Sequence, residues 1–158
     1  MQRGLGTQLR HIIELLDGAV TQSYVAIGLE YRPRYTPIMK ALIRLESCTV
    51  NELANYAGIT QPAATQTVKL MLKDQLITTN KDEKDNRKII IKLSPQGLKI
   101  IPELERCWQA TKKAEASLNL ELGFDFGENL SHVISALSNR SFAERIEQAK
   151  IDQSQLSI

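Results

Sequence analysis

The sequence predicts an α+β chain, mainly helical with one small β-hairpin, and three observations carry that expectation. Apolar residues recur at steps of three or four near both ends, as in Leu9, Ile12, Ile13, Leu16, Val20, Tyr24 and Ile27. That is the period of a helix with one apolar stripe. In the middle, two short helical segments are separated only by Gly58-Ile59-Thr60, a helix-turn-helix spacing. After them the period changes: Leu76 to Thr79 and Lys88 to Leu93 are rich in β-branched residues and flank a polar tip.

Each element has its own local signal. The first stripe predicts a helix from Leu5 to Glu30, broken by Tyr31-Arg32-Pro33-Arg34-Tyr35. Thr36-Pro37, a hydroxyl at the N-cap with proline in the first turn, predicts a helix to about Leu45. Thr49-Val50-Asn51-Glu52 is a capping box: the threonine hydroxyl accepts from the third amide while the glutamate reaches back. Gly58 ends that helix, because glycine takes the left-handed conformation without penalty. Thr60-Gln61-Pro62 opens the next, running to about Asp74. Residues 80–87 form the hairpin tip, and Ser94-Pro95 starts a helix reaching about Leu122, in which Pro102 predicts a kink or a delayed start. A last helix follows from about Glu128, with Leu130, Val133, Ile134, Leu137, Phe142 and Ile146. Residues 149–158 read as a tail, frayed from Gln153.

Composition narrows the function classes. The 158 residues suffice for one domain with its own core, expected over residues 5–148, and 42% hydrophobic with 24% charged content is that of a folded globular chain. No apolar run approaches the roughly 20 residues of a membrane span, and the N-terminus lacks the pattern of a secretory signal. The expected compartment is the cytoplasm, with Cys48 and Cys107 as free thiols. Two cysteines and two histidines, His11 and His132, match no metal-ligand spacing, so no metal and no cofactor are expected. Nucleophile elbows, phosphate-binding glycine loops and zinc-protease motifs are lacking, so the chain is read as a non-enzyme. The net charge is only +2, but residues 69–92 hold seven basic residues against four acidic ones. A local basic patch of that kind suits contact with phosphates.

From Thr36 to Gly97 the ordered motifs resemble the MarR family of winged-helix transcriptional regulators. The stretches that carry the likeness are Thr49-Val50-Asn51-Glu52-Leu53-Ala54, Gly58 to Thr65, Val68 and Leu76-Ile77. After them come Asp85-Asn86-Arg87, matching the family's Asp-x-Arg wing signature, and Leu93-Ser94-Pro95-Gln96-Gly97. The resemblance implies a homodimer on a pseudo-palindromic double-stranded DNA operator, read here as a repressor. It also implies release by a small-molecule effector or by thiol oxidation. On it, residues 32–97 form the winged helix-turn-helix lobe, and residues 5–31 with 98–148 a helical dimerisation region. Family members often carry arginine where this chain has Gln66 and Thr79, and usually glycine where it has Gln75. The missing cations are expected to weaken phosphate contact.

The residues expected to meet DNA are Thr60, Gln61, Pro62, Thr65, Gln66, Lys69 and Lys73 on the second helix of the motif, and Lys84, Asp85, Arg87 and Lys88 on the wing. On a helix from Gln61, Ala64, Val68 and Met71 face the core, the polar residues lie opposite, and Leu70 falls toward solvent. Gln66 is suited to a bidentate contact with adenine, and Thr65 to a base or a thymine methyl. Lys69 and Lys73 suit phosphates. Arg87 at a hairpin tip suits the narrow minor groove, braced by a bidentate pair with Asp85. Two such helices on a dimer must reach successive major grooves about 34 Å apart. The competing reading is a winged helix used for protein contact, with DNA binding weak or lost. The first-helix cysteine of the family's peroxide sensors has no counterpart here, and a buried structural role is the expectation for both thiols.

Overall fold

The computed structural model describes residues 4–82, 85 and 87–155. They form eight α-helices and a three-stranded antiparallel sheet, in the order α1 (Leu5–Ala26), a 3₁₀ turn (Pro33–Tyr35), α2 (Thr36–Leu45), β1 (Ser47–Cys48), α3 (Val50–Ala57), α4 (Gln61–Lys73), β2 (Ile77–Lys81), β3 (Ile89–Leu93), α5 (Pro95–Lys99), α6 (Ile101–Leu122), α7 (Phe126–Asn139) and α8 (Phe142–Gln155). The chain divides into two compact units, one ending at Thr111 and the other beginning at Lys112.

The first unit holds the core. Tyr24 of α1, Tyr35, Ile38, Met39 and Leu42 around α2, Leu53 of α3, Met71 of α4 and Leu104 of α6 are all 2% exposed or less. Helix starts follow their sequence signals closely. Thr49 Oγ1 accepts from the Glu52 amide at 3.3 Å, and the Glu52 carboxylate accepts from the Thr49 amide at 2.7 Å, completing the capping box. Ser94 Oγ accepts from the Gly97 amide at 2.9 Å and donates to the Gln75 carbonyl at 2.6 Å. Pro102 lies in the first turn of α6, so the expected delay is what occurs: α5 stops at Lys99 and α6 begins afresh at Ile101.

Helix ends are decided by left-handed residues. Gly58 (φ 65°) closes α3, with its own amide bonded to the Asn55 carbonyl and that of Ile59 to Ala54. Gln75 does the same for α4 at φ 58°, with the Gln75 amide on Leu72 and the Leu76 amide on Met71, although glutamine pays a steric cost there that glycine does not. Gly28 (φ 76°) ends α1 at Ala26, four residues before the stripe suggested. The Thr36 hydroxyl does not cap α2: Thr36 is the first helical residue, and its Oγ1 accepts from Tyr31 Oη at 3.5 Å.

The hairpin pairs Ile77 with Leu93 through to Lys81 with Ile89. The sheet order is β1-β3-β2, and β1, which the sequence pattern does not reveal, pairs Cys48 with Ile91. In the second unit the expected last helix is two. Ser141 breaks it and caps α8, its Oγ accepting from the Glu144 amide at 3.2 Å while the Glu144 carboxylate accepts from the Ser141 amide at 2.7 Å. α8 stays helical to Gln155, beyond residue 149 where a tail is expected. No residue of α7 is buried, and Val133, Ile134 and Leu137 stand exposed, as do Phe142, Ile146 and Ile151 of α8.

Candidate nucleic-acid interface

Thr60 and Pro62 set the start of α4. The Thr60 hydroxyl accepts from the Ala63 amide at 3.4 Å, and the proline sits in the first turn, where its missing donor costs nothing. This orients the helix so that Ala64, Thr67, Val68 and Met71 are buried. Leu70 is not turned to solvent as the helical register suggests; it is half-buried against the core. Gln61, Pro62, Gln66, Lys69 and Lys73 are exposed, and Thr65 is half-buried.

A concavity of about 660 Å³ lies between the start of α3, the outer face of α4 and the hairpin. It collects five of the residues singled out in the sequence: Gln61, Thr65, Lys69, Arg87 and Lys88. Pro62 and Gln66 lie beside it, around a shallower depression of about 400 Å³ that shares Gln61, Thr65 and Lys69. Lys73 departs from the expectation. It lines a different cavity, of about 810 Å³, with Val25, Leu29, Arg32 and Asp74, one turn beyond Lys69 at the end of α4. Lys84 lies outside the described residues.

On the wing, Asp85 braces Arg87, though not as the bidentate fork the sequence suggests. One carboxylate oxygen, Oδ1, accepts both from Arg87 Nε at 3.3 Å and from the Arg87 backbone amide at 3.1 Å. The terminal guanidinium nitrogens stay outside that pair, on a side chain that is 92% exposed. The brace therefore aims the arginine without neutralising its outer edge. Glu52 brings a carboxylate to the same concavity, but its charge is turned onto the helix cap. The Thr49 amide and hydroxyl hold its carboxyl below the ordinary range, with the Lys88 ammonium adding to the effect.

A second arginine was not among the sequence candidates. Arg34, on the 3₁₀ turn, donates from Nη2 to Gln66 Oε1 at 3.2 Å. A guanidinium thus arrives beside the position where the family resemblance suggested an arginine on α4 itself. No sequence signal links the two residues, which are 32 positions apart. The flanking Arg32 lies with Nε 3.6 Å from Asp74 Oδ2. Cys48 is buried, which pushes its thiol up to about 11, and the half-buried Cys107 is also raised by burial. Among the described residues, no group of three or more His, Cys, Asp and Glu could hold a metal ion, and no helix is long and apolar enough to cross a membrane.

Residues 28–88 match the family model described as "MarR family", spanning the end of α1 through the hairpin. Over that stretch the chain is similar to the MarR family. Solved structures share the fold over most of the chain at low identity. The S. aureus MepR–DNA complex superposes with a TM-score of 0.68 at 16% identity, covering 86% of this chain and 99% of MepR. A mutant MarR from E. coli complexed with operator DNA gives 0.61 at 16% identity, covering 84% and 92%. Bordetella bronchiseptica BpsR, whose DNA binding is regulated by 6-hydroxynicotinic acid, gives 0.60 at 16% identity, covering 89% and 94%. Among curated proteins none matches the chain. The chain shares the winged architecture of these proteins.

Proposed function

We propose that this chain is a cytoplasmic transcriptional repressor, without enzymatic activity, that binds a pseudo-palindromic operator as a homodimer. α4 enters the major groove and Arg87 the adjacent minor groove. One observation carries the reading: the polar face of α4 and the outward guanidinium of Arg87 border the same concavity, with Lys69 and Lys88 beside them. Gln61, Thr65 and Gln66 are the base-reading groups, Lys69, Lys84 and Lys88 meet phosphates, and Thr60 and Pro62 present the helix start. Lys73 contributes charge from the far end of α4.

Dimerisation is assigned to residues 5–31 and 98–148. Leu5, Leu9, Ile13 and Leu16 of α1 are exposed, and so are the apolar residues of α7 and α8. Two-fold pairing is the commonest way to cover such surfaces. A small-molecule effector would fit the cavity bounded by α1, Arg32 and Asp74.

The test is selection of bound fragments from genomic DNA, followed by titration at several salt concentrations. A DNA-binding dimer gives a log–log slope of about −0.9 per phosphate neutralised; Lys69→Ala reduces that slope by about 0.9 per subunit, and Arg87→Ala weakens selection broadly. A chain that enriches no fragment, or whose Arg87→Ala variant selects as strongly as the parent, refutes the assignment.

A further inference from the structure

The 3₁₀ turn Pro33–Tyr35 grips α4 at two places. Arg34 bonds Gln66, and Tyr35 Oη donates to Asp74 Oδ2 at 2.7 Å, eight residues further along the helix. The turn's backbone is anchored on both sides of Arg34, since Tyr31 and Tyr35 are 3% and 0% exposed and their rings meet edge to face at 5.6 Å. Arg34 itself stands exposed on this fixed base, beside the α4 face that bears Gln61, Thr65 and Lys69.

The chemistry of the pair is one-sided. A guanidinium has only donors, so the amide oxygen of Gln66 must face it and the amide nitrogen points elsewhere. A glutamine that reads adenine uses both atoms, accepting from N6 and donating to N7. With its oxygen turned onto the Arg34 guanidinium, which takes one of its two lone pairs, Gln66 leads with its amide donors, and Arg34 offers further donors next to it. The base edge that presents two acceptors side by side in the major groove, N7 and O6, is guanine. We propose that Arg34 and Gln66 act as one donor unit that selects guanine in each half-site, with Arg34 as a specificity-determining residue. This stands in place of the adenine contact that Gln66 alone would make, and it rests on the DNA-binding reading above.

The experiment is selection from a randomised DNA library with the full chain, Arg34→Ala, Arg34→Lys and Gln66→Ala, alongside thermal melts. The parent chain enriches guanine at one position of each half-site. Arg34→Ala lowers that preference by roughly tenfold and lets adenine rise there, because the Gln66 oxygen is released. Arg34→Lys, which keeps a donor-only group, retains guanine, and Gln66→Ala loses discrimination at that base pair only. If Arg34→Ala does not fold, Arg34→Met gives the same readout with the aliphatic stem kept. An unchanged base preference in the folded Arg34 variant overturns the proposal. So does a uniform loss of affinity with a salt slope shallower by about 0.9 per subunit, which marks a phosphate contact. A parent chain that enriches no sequence overturns the DNA-binding reading, and the pair with it.

Discussion

The contact between Tyr35 and Asp74 ties the turn after α1 to the last turn of α4, and Tyr35→Phe isolates it. The substitution deletes one oxygen and leaves a fully buried ring packed edge-on against Tyr31. What is lost is a short hydrogen bond, 2.7 Å, from a phenol to a carboxylate. Bonds to charged partners contribute about 1.5–3 kcal/mol. Two features lower the figure here. Asp74 is 26% exposed, so water can replace the phenol, and Arg32 remains 3.6 Å from the same oxygen, although at 57% exposure that pair adds little. The expected loss is about 1–2 kcal/mol. Asp74→Ala should cost more, because it strands the phenol without an acceptor. Urea unfolding followed by circular dichroism should show a lower midpoint at unchanged slope for Tyr35→Phe. The double variant should reveal a coupling of at least about 0.5 kcal/mol. Burial and the neighbouring Asp74 charge hold the Tyr35 phenol up at about 12, so the donor is intact at neutral pH. A Tyr35→Phe variant within about 0.3 kcal/mol of the parent, or a cycle with no coupling, would refute the reasoning.

Four further outcomes follow from the first unit. Gln75→Gly should raise stability by about 0.5–1 kcal/mol, since a left-handed non-glycine residue is replaced by one that adopts φ 58° freely; a lower melting temperature would count against it. Gly97→Ala should cost about 2 kcal/mol or more, because the added carbon meets the Leu76 carbonyl oxygen, which is itself held by the Ser94 amide and cannot yield; a parent-like urea midpoint would contradict this. Burial raises Cys48 from 9.0 to about 11, helped by the Glu52 charge, and raises Tyr35 from 10.0 to about 12, with Tyr31 moved up by burial as well. A raised folded pKa gives stability that is full below the unfolded value and lost as pH climbs through the folded one. Urea midpoints should therefore be level up to about pH 9 and fall steadily between about pH 9 and 12. A thiol reagent near neutral pH should label Cys48 only on unfolding, and rapid labelling of the native chain would exclude its burial.

Much of the lobe was legible because its signals are local. Thr49 with Glu52, Gly58, Thr60 with Pro62, and Ser94 with Pro95 act within one helical turn, where spacing alone sets geometry. The Ser141–Glu144 box was equally readable, but the apolar stripe running from Leu137 to Phe142 masked it. β1 was not readable: two residues carry no period, and their strand exists only because β3 offers an open edge.

What the sequence by itself determined is the order of elements, most of their starts, and which face of α4 is polar, since these depend on neighbours three or four residues apart. Only the tertiary structure decided that Arg34 reaches Gln66, that Tyr35 holds Asp74 across 39 positions, that Lys73 lines a separate cavity, and that Leu70 is packed. Those outcomes depend on how one helix lies against the turn and core beside it. Packing of buried side chains sets that geometry to a fraction of a residue's rotation, which no linear pattern encodes.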